Sequence, residues 1–479
     1  MNIHSRYLLF LVFFIAFIPR ILYLGDFPPV FYDEGSLVQI GTFIHHGIFI
    51  LPFYGNNMYP PLAPLISSLL PVSLFWQRLP DVFLGSFSCV VVFLLVKKYN
   101  VKLAFLSSIL LTFSPTIFGN RTTELTNGTE LFFLLTIYLF VCYKDSKIER
   151  YLLLSGICAG ISFLYNYLGA ASILFILFET VIFRLPIRKI SIWWLSAAFT
   201  TSLFFVYNFF TDGSYLFQDL ILYLTPSSST TVSPSFVSKL GYMFRQLVFG
   251  YPIGFLVPSN ISILFKLFIF VGFVSTILVL YLKRNTLTKD FLLASFLAVA
   301  FSFYLGSGSF FWVFFLLLIP LYSICIITLL FEKNFIKYLG VILLFFTLVS
   351  LGSFYGTVVY NTNTSFYQTV SWLSSQHGLI AADPAVGAFL PYNTSVNILL
   401  VIFWNHPYNY HEWSISYAPR LHGNLSLSLF TYAVIDNNIL SVADGSPTVA
   451  SYITYISTTW HLVHSFGQYN IYENPTVSS

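Results

Sequence analysis

Residues 129–167 read TELFFLLTIYLFVCY, then KDSKIER, then YLLLSGICAGISFLYNY. Two apolar runs flank a short connection that holds Lys144, Lys147 and Arg150. A helix needs about 20 mostly apolar residues to cross a bilayer, and runs of this kind recur along the chain. Candidate spans lie near Tyr7–Leu24, Pro80–Val96, Leu103–Phe118, Thr129–Tyr143, Tyr151–Tyr167, Ala170–Phe183, Ile190–Phe210, Ser259–Leu282, Phe291–Leu305, Phe310–Phe331 and Phe335–Tyr355. Between Tyr151 and Phe183 the only break is a tight turn at Asn166–Gly169. Composition agrees. Of 479 residues, 57% are hydrophobic and 8% charged, against roughly 25% charged in a soluble protein. So few charges cannot cover a water-soluble fold of this size. Mean hydropathy is +0.79, and 55 Phe with 32 Tyr exclude disorder. The chain reads as a polytopic α-helical membrane protein of about 11 transmembrane helices.

The basic residues orient it. Lys97, Lys98 and Lys102 follow the second span, and Lys144, Lys147 and Arg150 the fourth. Arg184, Arg188 and Lys189 follow the sixth, Lys283, Arg284 and Lys289 the eighth, and Lys333 and Lys337 the tenth. Every second connection is basic, which makes those loops and the N-terminus cytoplasmic. Six Asn-x-Ser/Thr sequons, at Asn120, Asn127, Asn260, Asn363, Asn393 and Asn424, all fall on the opposite side. The N-terminal run ends in Pro19-Arg20 with no small-residue cleavage pattern and reads as a retained helix. Cys89, Cys142, Cys158 and Cys325 sit in apolar runs without CxxC spacing, which speaks against a disulfide framework or a thiolate zinc site.

Two regions are expected from this layout. Residues 1–357 form a transmembrane domain that includes a long first outer loop, 25–79. Residues 358–479 form an extracytoplasmic α/β domain, because apolar runs give way to polar text with short strands. The expected strands are Leu379–Ala382, Asn397–Phe403, Tyr432–Ile435, Trp460–His464 and Tyr469–Tyr472.

The first outer loop holds Phe31-Tyr32-Asp33-Glu34-Gly35. Adjacent carboxylates beside a membrane are functional candidates, although a solvated loop containing two acids explains them equally well on its own. A short interfacial helix is expected over Ser36–His46. Tyr59-Pro60-Pro61-Leu62 then stops any long helix. Irregular backbone at that depth is tolerated where it lines a cavity or packs on protein.

An acidic pair just after the first helix, an interfacial helix and a Pro-Pro-Leu step before the second span resemble the GT-C glycosyltransferases. The nearest branch in appearance is the dolichyl-phosphate-mannose protein mannosyltransferase and aminoarabinose transferase group (glycosyltransferase family 39-like). A looser match is Ser114-Pro115 followed by Asn120-Arg121-Thr122-Thr123-Glu124. The sequence departs from the group where Tyr59 replaces a common His. It lacks the Trp-Trp-Asp of oligosaccharyltransferases, since Trp193-Trp194 continues into Leu195 inside a span.

The resemblance implies the GT-C fold and transfer of a monosaccharide from a polyprenyl (dolichyl) phosphate carrier to a hydroxyl on the outer face. The acceptor is a protein, glycan or lipid, membrane lipids surround the enzyme, and no nucleic acid is involved. A phosphate leaving group needs no general acid, so one carboxylate that takes the acceptor's proton suffices. A single displacement inverts the anomeric centre. Asp33 is the expected base and Glu34 a supporting acid, with Glu124 a further acid. Arg121 and Arg245 are the expected phosphate ligands, because a guanidinium fork matches phosphate geometry. Lys266 is a third cation, and its alternative role is snorkelling to the interface. Tyr32, Tyr59, Pro60 and Pro61 are expected to line the substrate cavity.

No obligatory cofactor is expected, although a divalent cation is compatible with the chemistry. His45-His46 point about 100° apart on a helix, and His406, His411 and Glu412 match no strong zinc spacing. The rival reading is a polytopic transporter or flippase for a lipid-linked or amphipathic substrate, which calls for internal repeats and mid-helix charges. Repeats are not apparent, and Glu179 and Lys266 are the main such charges. A third reading is a catalytically dead partner subunit, against which the intact Asp33 argues.

Overall fold

The computed structural model describes residues 3–26, 30, 32–47, 60–114, 126–212, 259–282, 286–305, 311–332, 363–392, 394–404 and 427–477. The chain divides into two compact units. The first comprises Met1–Leu24, Arg78–Val206 and Ser228–Tyr360, and the second Gly25–Gln77, Tyr207–Ser227 and Asn361–Ser479.

Helices make up the described part of the first unit. In hydrocarbon the backbone must satisfy its own hydrogen bonds, and a helix does so within one segment. Helices Leu74–Lys97 and Ile187–Tyr207 are long and apolar enough to cross a bilayer. Shorter apolar helices cover Val101–Thr112, Tyr167–Ile182, Lys266–Leu282 and Leu317–Phe331. The expected spans Ala170–Phe183 and Ser259–Leu282 coincide with helices. The second span starts earlier than expected, at Leu74, so Pro80 lies inside its helix. The third stops at Thr112, and residues 335–355 lie outside the described residues.

Small residues permit a close helix approach. Gly156 and Gly160 are four apart on helix Glu149–Tyr165 and face helix Ile187–Asp212. A Cβ on Gly156 would lie 1.9 Å from Ser196 Oγ and 2.5 Å from the Trp193 carbonyl oxygen. On Gly160 it would lie 2.4 Å from Thr200 Cβ. This is the small-xxx-small packing by which helices associate where lipid removes the hydrophobic drive. Trp193 is buried beside this seam. Its Nε1 donates to Ser155 Oγ at 3.0 Å, and its ring stacks on Phe140 at 4.6 Å.

The basic connections carry an ion-pair network. Lys98 pairs with Asp145 at 2.6 Å and Asp290 at 3.4 Å, and Lys144 pairs with Asp290 at 3.2 Å. The Tyr99 hydroxyl also donates to Asp290. Burial works to raise Asp290, but the Tyr99 hydroxyl, Lys144 and Lys98 together hold it below the ordinary carboxylate range. Asp290 sits in a π-helical turn, Thr288–Leu292, that leads into helix Leu293–Leu305. From the same connection as Lys144, Glu149 pairs with Lys189 and with Arg188 on the one that follows the sixth span.

The second unit contains a mixed five-stranded sheet of order β2-β1-β3-β5-β4. Its strands are β1 (Ile380–Ala382), β2 (Ser395–Asn397), β3 (Tyr432–Ile435), β4 (His461–Phe466) and β5 (Tyr469–Glu473). β2, β1 and β3 run parallel, and β3, β5 and β4 antiparallel. One expected strand is wrong. Ile398–Trp404 is a helix and only Ser395–Asn397 is extended. Buried Ile398, Leu399, Val401 and Ile402 fall at helical spacing, and a short apolar run does not reveal that period by composition. The grouping of loop 25–79 with the transmembrane domain also differs, because Gly25–Gln77 packs within the second unit. Val30 and Leu74 share a core with Phe366, Ile380, Val386 and Ile471.

Two buried aspartates follow the paired parallel strands. Asp383, after β1, accepts a hydrogen bond from the Ala385 amide and caps helix Pro384–Gly387. Asp436, after β3, accepts from the Ile439 amide at 3.0 Å and caps helix Asn437–Gly445. The second oxygen of Asp436 has no hydrogen-bond partner among the described residues. Burial pushes its pKa up from the usual 3.8 to about 6, against the pull of the amides it accepts from.

Replacing Gly156 by Val should destabilise the chain by about 1–3 kcal/mol through overpacking, read as a lower unfolding temperature of the purified full chain. Asp436→Asn keeps the capping oxygen and removes the charge. A raised folded-state pKa means that the folded form binds the proton more tightly than the unfolded form. Its stability penalty is therefore fully present above about pH 6 and disappears as pH falls toward 4. The variant should melt about 2–4 °C above wild type at pH 7.5, and the gap should close by pH 4. A gap that does not change with pH would show that Asp436 is not the titrating group.

Candidate active site

The acidic pair lies in the first turn of helix Tyr32–His45. The sequence reading started this helix at Ser36 and so left both acids in a loop. Carboxylates are favoured at a helix N-terminus, where the first amides lack partners and the dipole is positive, and the helix extends back to include them. The side chains of Tyr32 and Asp33 lie outside the described residues, whereas Glu34, Gly35 and Ser36 are buried.

Several contacts within the second unit hold this helix. A Cβ on Gly35 would lie 2.2 Å from the Pro384 carbonyl oxygen and 2.4 Å from the Ala385 amide nitrogen, so the two backbones touch. Gly41 is similarly close to Ser67, at 2.3 Å from Oγ. His45 Nδ1 donates to the Ser68 carbonyl at 2.9 Å, which fixes helix Leu62–Ser68 alongside. His46 stacks on Tyr392 at 3.8 Å between ring centroids. The two histidines are thus engaged separately. Pro60 and Pro61 are buried, and Pro61 is the N-cap of helix Leu62–Ser68. The start of the loop is tied as well. Asn363 donates from its amide to the Asp26 carbonyl and from Nδ2 to the Gly25 carbonyl, both at 3.0 Å, and the Tyr367 hydroxyl donates to Gly25 at 2.9 Å.

The first unit buries its own polar cluster. Arg20 is fully buried, donating to the Ala16 carbonyl at 2.9 Å and lying 3.9 Å from Cys89 Sγ. Glu130 is buried, accepts from Ser88 and lies within Arg20's electrostatic reach. Arg78 donates to the Leu24 carbonyl at 3.0 Å, and Asn127 donates to Asp81 at 2.9 Å. Sequence reading had not assigned Arg20, Arg78, Asp81 or Asn127 a structural task. The available signal was a charge or amide at the edge of an apolar run, where burial demands a partner. Two sequons are closed to glycosylation in this conformation, because Asn127 and Asn363 are buried with their side-chain nitrogens engaged.

Of the other expected site residues, Tyr59, Arg121, Glu124 and Arg245 lie outside the described residues. Lys266 is exposed on helix Ser259–Leu282. Among the described residues no cluster of three or more His, Cys, Asp or Glu is arranged to hold a metal. Charge is strongly segregated. The second unit contains ten Asp or Glu against one Lys or Arg, Arg420, while the first contains the other 21 basic residues against eight acids.

Residues 58–209, about a third of the chain, match the family described as dolichyl-phosphate-mannose-protein mannosyltransferase. No curated protein matches the chain in sequence. In fold it is similar to ArnT from Cupriavidus metallidurans bound to undecaprenyl phosphate, with a TM-score of 0.65 at 11% identity, over 96% of this chain and 97% of that one. It is also similar to the apo oligosaccharyltransferase from Archaeoglobus fulgidus, with a TM-score of 0.51 at 12% identity, over 94% of this chain and 72% of that one. A third likeness is to the oligosaccharyltransferase AglB of the same organism in complex with an inhibitory peptide and a dolichol-phosphate. There the TM-score is 0.50 at 12% identity, over 100% of this chain and 75% of that one. Identities this low speak for the fold, and the family match adds the sequence signal over the spans that follow the acidic loop. Together they show that the chain is similar in fold to ArnT and the oligosaccharyltransferase, and that residues 58–209 resemble the mannosyltransferase family in sequence.

Proposed function

We propose that the protein transfers a monosaccharide from a polyprenyl-phosphate carrier to a hydroxyl of a protein, glycan or lipid, on the extracytoplasmic face. The observation that carries this reading is the Asp33-Glu34 pair in the first turn of a helix seated on folded structure, in a chain of GT-C fold. The acceptor oxygen attacks the anomeric carbon while the bond from that carbon to the phosphate oxygen breaks. The polyprenyl phosphate leaves with the electron pair, the acceptor proton passes to the Asp33 carboxylate, and the configuration inverts. Glu34 and Glu124 support the base. Arg121, Arg245 or Lys266 holds the phosphate, and Tyr32, Tyr59, Pro60 and Pro61 line the cavity. No step requires a metal, so turnover should not depend on one.

The topology that goes with this reading has eleven spans, a cytoplasmic N-terminus and an extracytoplasmic domain over residues 358–479. It rests on the alternation of basic connections. Single cysteines at position 33 and at the exposed position of Asp444, in a chain lacking its four native ones, should label with an impermeant reagent from outside, and a cysteine at 144 from the cytoplasm. Labelling of position 33 from the cytoplasm alone would sink both the topology and the mechanism.

Asp33→Asn removes proton acceptance with little change of volume. Membranes supplied with a radiolabelled polyprenyl-phosphate hexose should lose roughly 10²–10⁴-fold in transfer rate, with donor binding little changed. Glu34→Gln should be milder. An equal loss of donor binding and rate would mean a binding role for Asp33. A product that retains the donor's anomeric configuration would recast it as a nucleophile.

A further inference from the structure

The acidic helix is not a free-standing loop element. Its first turn meets the turn that follows β1, with Gly35 against the backbone of Pro384 and Ala385. That turn is itself held by the Asp383 cap on helix Pro384–Gly387 and buried at Pro384, Ala385, Val386 and Gly387. The far end of the helix is held by His46 stacked on Tyr392, with Phe43 edge-on to the same ring. Both contacts therefore come from the stretch between β1 and β2.

We propose that residues 383–392 are a positioning element for catalysis, with Gly35 and Tyr392 as the two points that set the axial position and tilt of the helix bearing Asp33. The inference rests on Asp33 being the base. A backbone-to-backbone contact has no side chain to rotate out of the way. Any Cβ at position 35 must lift the first turn off its seat or displace the Pro384 turn. Proton transfer requires the base within hydrogen-bond reach of the acceptor, so a shift of about 1 Å in a catalytic group can cost on the order of 10²-fold in rate. The residues proposed to hold the donor phosphate, Arg121, Arg245 or Lys266, are not part of this seat.

The test measures kcat and donor KM per folded molecule in Gly35→Ala and Tyr392→Ala full-chain enzyme, with amide hydrogen exchange of residues 32–45. A polyprenyl-phosphate hexose is the probe. The positioning role requires kcat to fall at least about tenfold in Gly35→Ala and severalfold in Tyr392→Ala, with donor KM within about twofold of wild type. Exchange should quicken over residues 32–45 while β1, β3 and β5 stay protected. A merely structural contact would lower the unfolding temperature and leave kcat per folded molecule unchanged, and that result overturns the proposal. If Gly35→Ala does not fold, the Tyr392→Ala result decides. Asp33→Asn, measured in parallel, separates the two readings. Full turnover in that variant defeats the base assignment itself. An inactive Asp33→Asn with unchanged kcat in Gly35→Ala and Tyr392→Ala defeats the positioning role alone.

Discussion

The contact of Gly35 with the Pro384 carbonyl and the Ala385 amide ties the acidic helix to the rest of the second unit. Only a residue without a side chain lets one backbone approach another that closely. With it, a connection between two spans becomes part of a folded core. Asn363 and Tyr367 tie the start of that connection at Gly25 and Asp26. Tyr392 holds the end of its helix, and Val30 and Leu74 fill the core below the sheet. The acids are thus fixed by a mixed sheet whose own register is set by paired strands, rather than by the stiffness of a loop.

The first unit meets a different constraint. A cation in a low-dielectric interior is costly unless compensated, and removing one member of such a pair costs more than the pair contributes. Arg20 and Arg78 are both fully buried, and each is compensated locally, by backbone carbonyls and, for Arg20, by the nearby Glu130. Where the connections are hydrated the same unit uses exposed or half-buried networks around Asp290 and Glu149. Those pairs contribute little each, but they link connections far apart in the chain.

Much of this was legible in the sequence. Hydrophobic runs and basic connections located the helices, and Tyr432–Ile435 was found as a strand from its β-branched and aromatic content between turn residues. What stayed hidden was nonlocal. Gly35 looks like any loop glycine until residue 384 is placed against it. Asn127 and Asn363 read as sequons until their nitrogens are seen bonded to Asp81 and to Gly25. Ile398–Trp404 misled because a short apolar run has no visible period, and only the burial of its 398, 399, 401 and 402 positions reveals a helix. Pattern reports a segment's own preference, and these features depend on the partner.

The segregation of charge bears on how a base in the acidic pair, as proposed, would work. Ten acids share the second unit with one Lys or Arg, so that unit has few cations with which to pair them. Four of its carboxylates lie at helix N-termini. Asp33 and Glu34 lie in the first turn of one helix, and Asp383 and Asp436 cap two others. A helix N-terminus stabilises a carboxylate by about 0.3–1 kcal/mol, whereas a cation within a few ångströms can hold its pKa down by one to three units. The weaker stabilisation suits a base. A carboxylate locked to a guanidinium is a poor proton acceptor, while one steadied by helix amides keeps most of its basicity. If the acidic pair supplies the base as proposed, then, the N-terminus of its helix orders it while leaving a carboxylate there most of its proton affinity.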